Sequence, residues 1–138
     1  MMSIDRPRNF RIFFLFVIAL LGIAPVTSAV ELFPLDELQV GMRGYGLTVI
    51  EGTEIERFEA EVLGILPDAT LSGDLIMIRV SGSVIDRAGG IASGMSGSPV
   101  YIEGKLVGAV GYGFAMADHR IALVTPIHDM LPVLERIP

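Results

Sequence analysis

The chain has 138 residues, of which 51% are hydrophobic, with 10 basic residues, 16 acidic residues and no cysteine. This length predicts a single domain, and the absence of cysteine excludes disulfides, so the fold must depend on burial of an apolar core. The formal net charge of −6 argues against nucleic-acid binding, because Lys105 is the only lysine and the arginines are scattered singly.

The first 29 residues have the pattern of an export signal. Three arginines precede an uncharged run from residue 12 to 30, in which Pro25 is followed by small residues up to Ala29. This order predicts a signal peptide over residues 1–29, cut after Ala29. The alternative is an uncleaved membrane anchor, because nineteen uncharged residues are close to the roughly 20 that span a bilayer.

The remaining domain, residues 30–138, is more acidic than the whole chain. Without the leader's three arginines and one aspartate it carries seven basic and fifteen acidic residues, a net charge of −8. Such a domain repels polyanions and acidic membranes, so no nucleic-acid partner is predicted. We expect the domain to be exported, either extracellular, periplasmic or anchored facing outwards, and to meet a membrane only through an uncleaved leader.

Short apolar runs broken by Gly, Pro and Asp predict strands through most of the domain. The first run, Leu47 to Ile50, stops at the turn signal Glu51-Gly52-Thr53. The second run, Phe58 to Leu66, alternates at first like a half-buried strand and is predicted to end at Pro67-Asp68. The third run, Leu75 to Val80, is apolar enough to predict burial on both faces for most of its length.

A hairpin, a strand and a helix are predicted in the last third of the chain. Glu103-Gly104 is a two-residue turn signal between two β-branched runs, which predicts a hairpin. Ile121 to Val124 predicts a short strand, and apolar residues at helical spacing from Ile127 to Leu134 predict a helix that contains Pro132. Many short strands followed by one helix predict a mainly β fold, a small β-barrel or half-barrel with a C-terminal helix.

Glycines concentrate in the second half of the domain. Nine of the sixteen lie between Gly82 and Gly113, around the segment from Gly89 to Pro99. Such a run indicates either a set of tight turns or a loop whose main chain a ligand approaches closely. A phosphate-binding loop is disfavoured, because the segment has no Gly-Lys-Ser/Thr ending, no nearby lysine and no helical pattern after it.

The order of residues within this segment indicates a nucleophilic serine. Ser96 stands between Gly94-Met95 and Gly97, and Ser98-Pro99 leads into the predicted hairpin. This is the layout of the nucleophile loop of trypsin-like serine peptidases. There the serine projects from a tight turn, and its own N–H and that of the residue two before it bind the developing oxyanion. Ser96 is therefore the candidate nucleophile, and the N–H groups of Gly94 and Ser96 are the candidate oxyanion donors.

The stretches on both sides of Ser96 match one family almost residue for residue. They are Gly89-Gly90-Ile91, Gly94 to Val100 and Gly104 to Val110, with further matches at Val40 to Val49, Gly52 to Phe58, Val62 to Gly64 and Asp74 to Ile76. The sequence thus resembles the stage IV sporulation protein B serine peptidases from about Leu38 to Leu131. The resemblance implies a trypsin-like fold and a serine endopeptidase with Ser96 as nucleophile, with a peptide or protein as substrate and with no cofactor.

The general base departs from the pattern of that family. Those peptidases use a histidine well before the serine, whereas the two histidines of this chain, His119 and His128, both follow Ser96. At the place of the orienting aspartate stands Ser81-Gly82-Ser83. Both histidines are candidate bases, and an exposed or helix-capping role is the alternative for each. Neither has another ligand at metal-binding spacing, so no metal is predicted.

Three functions are compatible with these observations. The first is an exported serine endopeptidase that hydrolyses peptide bonds through an acyl-enzyme. The second is a catalytically incomplete peptidase-like module that binds a peptide or a protein partner in the cell envelope. The third is a purely structural glycine-rich barrel. A serine hydroxyl without a base is a poor nucleophile, so the sequence by itself does not decide whether the chain is an enzyme.

Overall fold

The computed structural model describes residues 29–71, 73–113 and 118–134, which form six strands and two α-helices. The strands are β1 (Arg43–Thr48), β2 (Glu56–Thr70), β3 (Gly73–Ser81), β4 (Pro99–Ile102), β5 (Lys105–Gly113) and β6 (Ile121–Pro126). The helices are α1 (Ser83–Ala88) and α2 (Ile127–Leu134), and single 3₁₀ turns cover Leu35–Glu37 and Ser93–Met95. Apart from Ala29, the predicted leader lies outside the described residues. Within the described ranges no helix has the length and apolar character needed to cross a bilayer.

Antiparallel pairing closes the six strands into a barrel with the order β1-β2-β3-β6-β5-β4. β1 completes the closure, because it pairs with β2 on one edge and with β4 on the other. The predicted mainly β fold with a C-terminal helix is confirmed. Of the two forms that the sequence allowed, the structure shows the closed barrel.

Alternating side chains of the strands fill the barrel. On β2, Phe58 and Ala60 are buried while Glu59 between them is exposed, as the alternation predicted. On β3, the adjacent Leu75 and Ile76 are both buried, so the prediction of burial on both faces for most of the strand is confirmed there, and the exposed Arg79 marks where it ends. Toward the end of β3 only the face of Ile78 and Val80 turns to the core, whereas the other face, with Arg79, meets solvent.

The bounds of the first two strands differ from the prediction. β1 runs from Arg43 to Thr48, so it begins earlier than predicted and leaves out Val49 and Ile50, which were predicted to belong to it. Its early start depends on a glycine, because a Cβ on Gly44 would lie 1.9 Å from the carbonyl oxygen of Tyr101 on β4. β2 continues through Pro67-Asp68 to Thr70. Its pairing with β3 shifts register after Leu66, so the proline lies in an irregular stretch, where the N–H that it lacks is not needed for the ladder.

The hairpin, the last strand and the last helix confirm the predictions from local sequence. Glu103 and Gly104 both have positive φ, 51° and 78°, as a primed two-residue turn between β4 and β5 requires. β6 runs two residues further than predicted, and α2 contains Pro132. The sequence did not predict α1, since six residues are too few to show a helical period, although Val84 and Ile85 of this helix are buried in the core.

Candidate functional site

Ser96 follows the 3₁₀ turn Ser93–Met95 and lies three residues before the start of β4 at Pro99. Met95 is fully buried at 0% exposure, whereas the next two residues, Ser96 and Gly97, are exposed. The chain reverses at Gly97, whose φ of 87° lies in the left-handed region that favours glycine. The turn therefore anchors one side chain in the core and presents the next one, the serine, at the surface.

Main-chain hydrogen bonds fix this loop against β5. The N–H of Gly97 donates to the carbonyl of Val110 over 2.7 Å, and the N–H of Val110 donates to the carbonyl of Ser98 over 2.9 Å. The Ser96 hydroxyl lies 3.5 Å from the carbonyl oxygen of Gly111, the next residue along the same strand. The loop thus extends the β4–β5 pairing up to the serine, so a rigid sheet carries the candidate nucleophile.

A buried hydroxyl pair joins the same loop to β1. Ser98, two residues after the serine, donates its hydroxyl hydrogen bond to Oγ1 of Thr48 over 2.9 Å. These are the buried polar side chains of the described residues, at 7% and 4% exposure, so each depends on the other for its hydrogen bond. The loop is therefore tied to a second strand of the barrel, at the end of β1.

We expect Thr48→Val to lower the free energy of unfolding by about 2 kcal/mol, because valine keeps the volume of threonine but leaves the Ser98 hydroxyl buried without an acceptor. Adding Ser98→Ala removes that stranded hydroxyl and should restore about half of the loss. Urea unfolding of the two single variants and the double variant measures the coupling. Single-variant losses that simply add in the double variant would show that the two hydroxyls do not stabilise each other.

A first cleft of about 350 Å³ opens beside Ser96, between the 3₁₀ turn and the end of β5. Its walls combine apolar side chains, those of Ile91, Ala92 and Tyr112, with polar ones, and His119 also lines it. The two walls meet closely at one place, because a Cβ on Gly113 would lie 3.3 Å from the Ile91 side chain. This cleft provides a narrow, largely uncharged space next to the serine.

A second cleft of about 360 Å³ shares Ser96, but no other lining residue, with the first. It lies between the end of β1 and the serine loop, and Gly94, the candidate oxyanion donor, contributes to its lining. Ser96 therefore stands between two clefts. The sequence did not predict the second cleft, because its walls come from parts of the chain that are distant in sequence.

The two histidines occupy different places. His119 is exposed and lines the first cleft together with Ser96, and its carbonyl accepts a 2.7 Å hydrogen bond from the N–H of Ile91. The Nε2 of His128 lies 3.1 Å from the carbonyl oxygen of Phe33, in a separate cleft that also contains Asp74. The structure thus brings Ser96, Gly94 and His119 into one region and places His128 in another.

No histidine is hydrogen-bonded to the serine within the described part of the chain. The Ser96 hydroxyl is paired with a carbonyl, and the ring of His119 has no hydrogen bond to any described residue. Asp86, one of the nearest aspartates before the serine, forms a 2.9 Å ion pair with Arg120. Nor do the described ranges contain three His, Asp or Glu side chains grouped as metal ligands. The base role of both histidines stays a prediction.

Comparisons with known proteins bear on the family and the fold of the chain. The family model of the SpoIVB peptidase S55 matches residues 28–131. Among solved structures, the chain is similar to Rv3671c from M. tuberculosis H37Rv in three crystal structures. They are a mutant in an inactive form (16% identity, TM-score 0.57), the protease in an inactive form (19%, 0.56) and the protease in an active form (19%, 0.58). A comparison with curated proteins gives no match.

The similarity to these structures covers 82% of this chain but only 50–57% of the Rv3671c chains. This chain thus spans about half the length of the solved proteases that it matches. At identities below 20%, the similarity to these structures establishes only the fold, that of a trypsin-like protease domain. The relationship in sequence rests on the family model.

Proposed function

Since this chain belongs to the SpoIVB peptidase S55 family, we propose that its serine peptidase-like domain is an exported endopeptidase whose nucleophile is Ser96. The observation that carries this proposal is the exposed Ser96 hydroxyl on a rigid turn between two clefts. Export is supported by the basic, apolar and small residues of positions 1–29. The substrate class that fits is an extended peptide or an exposed loop of a protein.

The edge of β5 supports binding of such a peptide. Pairing with β4 reaches Ala109 of β5, whereas pairing with β6 continues to Gly113. Among the described residues, no strand pairs with the other edge of residues 111–113, and the Ser96 hydroxyl lies beside the carbonyl of Gly111 on this edge. An extended peptide can add there as a further strand, with main-chain hydrogen bonds that hold its carbonyl carbon near Ser96.

Hydrolysis then proceeds in two steps. Ser96 Oγ forms a bond to the carbonyl carbon and gives its proton to a base, and the N–H groups of Gly94 and Ser96 stabilise the oxyanion. The intermediate collapses to an acyl-enzyme as the amine leaves with that proton, and water releases the acid in a second addition. We assign the base to His119, because it is the histidine that lines a cleft together with Ser96.

A serine-reactive fluorophosphonate probe tests this assignment on the full chain. We expect labelling of the unmodified protein, no labelling of Ser96→Ala, and at least a 100-fold lower rate for His119→Gln because general-base catalysis is lost. Ser81→Ala removes an exposed serine that lines neither cleft and is the matched control, and His128→Gln is the matched histidine control; both should react at the normal rate. Absence of labelling at every pH contradicts the endopeptidase.

One observation favours the second candidate function, a peptidase-like module that binds a peptide or a partner in the cell envelope. The Ser96 hydroxyl lies 3.5 Å from the carbonyl oxygen of Gly111, which is too weak a base to deprotonate it, and no described histidine is hydrogen-bonded to the serine. The two clefts and the open β5 edge would serve peptide binding without catalysis. A protein that the probe does not label, but whose clefts still bind peptide fragments, supports this module.

A further inference from the structure

The second cleft is lined by apolar side chains that the barrel does not bury. Leu47 is half-buried, Val49 is 42% exposed and Ile55 is 69% exposed, although all three are large and hydrophobic. Leu47 lies near the end of β1, Val49 and Ile55 lie at the two ends of the connection between β1 and β2, and all three line one cleft together with Ser96. Exposed apolar side chains that cluster in a cleft mark binding sites more often than isolated ones do.

We propose that this cleft is a substrate subsite. It selects an uncharged apolar side chain on the part of the peptide that extends beyond the carbonyl group held at Ser96. The inference rests on the proposed binding of a peptide across that serine. Successive residues of an extended peptide rise about 3.3 Å and point to alternate sides. A peptide that crosses Ser96 therefore places side chains on both sides of the serine, and those beyond it lie over Val49 and Ile55.

The charges around the cleft exclude an acidic side chain as its occupant. Glu51 and Glu54, in the same connection between β1 and β2, are exposed and form no ion pair with any described residue. The next acidic residue, Glu56, is paired with Arg87. No basic side chain lines the cleft itself, so an incoming carboxylate would meet apolar walls beside two free negative charges. A carboxylate would also lose its hydration in such a cleft, whereas an aliphatic side chain has no hydration of a charge to lose and gains apolar contact.

Disulfide trapping tests the subsite without requiring catalysis. The chain has no cysteine, so Ile55→Cys provides a single thiol in the cleft. The full-length variant is equilibrated with mixed disulfides of cysteamine that carry either leucine amide or aspartate amide, under a fixed excess of 2-mercaptoethanol. Mass spectrometry measures the fraction of protein that carries each fragment. We expect at least a tenfold preference for the leucine fragment over the aspartate fragment.

Val40→Cys is the matched control, because Val40 is 72% exposed, close to the 69% of Ile55, and lines neither of the two clefts. We expect less than a twofold preference at this position. In the Ile55→Cys protein, adding Val49→Ser should reduce the preference below threefold, because it removes an apolar side chain from the wall of the cleft. Val49 is exposed, so the fold should tolerate this substitution. Equal trapping of both fragments at Ile55→Cys, or the same preference at Val40→Cys, overturns the subsite.

The result is independent of the reactivity of Ser96. If the fluorophosphonate probe fails to label Ser96 while trapping keeps its preference, the endopeptidase is contradicted and the apolar subsite remains as part of a peptide-binding module. If Ser96 is labelled while trapping shows no preference, the endopeptidase stands and the subsite is wrong.

Discussion

Gly108→Ala is expected to prevent the domain from folding. Gly108 lies on β5 between β4 and β6, where it pairs with Val100 on one side and with Pro126 on the other. A Cβ at this position would lie 2.1 Å from the carbonyl oxygen of Thr125, a contact that only movement of the main chain can relieve. Because both neighbouring strands are fixed by their own pairing, we expect a loss of more than about 4 kcal/mol in the free energy of unfolding.

Circular dichroism during heating measures this loss, and Gly64→Ala is the matched control. Gly64 also lies in a strand, β2, but a Cβ there would meet nothing within 4 Å, so we expect a change of less than about 1 kcal/mol. Gly108→Ala should show no cooperative transition. A transition close to that of the unmodified protein would mean that β5 and β6 do not pair in the register of this barrel.

The features predicted correctly from sequence are those that neighbouring residues determine. The Glu103-Gly104 hairpin depends on two adjacent residues that accept positive φ, and the side-chain alternation of β2 depends on a period of two. The beginning of β1 was not predicted, because the glycines at its start look unfavourable for a strand. Gly44 is required by the close approach of β4, which only the closed barrel brings there, and Gly46 leaves room for the buried ring of Phe58 on β2.

The same distinction applies to the candidate site. The position of Ser96 on an exposed tight turn follows from its own loop, whose order of glycines and serines was sufficient to single it out. The Thr48–Ser98 pair and the second cleft join residues that are far apart in sequence, so no local pattern indicated them. The local pattern predicts that Val49 belongs to a strand, because a β-branched residue at a strand end looks the same in sequence whether it lies in a core or lines a cleft.

Met95→Ala is expected to affect both stability and the reactivity of the neighbouring serine. Met95 is fully buried, and truncating such a side chain to alanine costs about 3 kcal/mol through lost contacts and the cavity that remains. The N–H of Met95 also donates to Ala92 and its carbonyl accepts from Ser98, so its main chain belongs to the turn that presents Ser96. Without the buried anchor this turn is free to shift, and fluorophosphonate labelling of Ser96 should become at least tenfold slower.

Met95→Leu separates the two effects, because it keeps the buried volume and costs less than about 1.5 kcal/mol. Labelling is measured well below the unfolding temperature of each variant, so that loss of folded protein does not contribute to the rate. We expect Met95→Leu to react at nearly the normal rate. If Met95→Ala is less stable but reacts at the normal rate, the main-chain bonds to β5 alone position Ser96. If its rate falls and Met95→Leu restores it, core packing and the geometry of the nucleophile are linked through this one side chain.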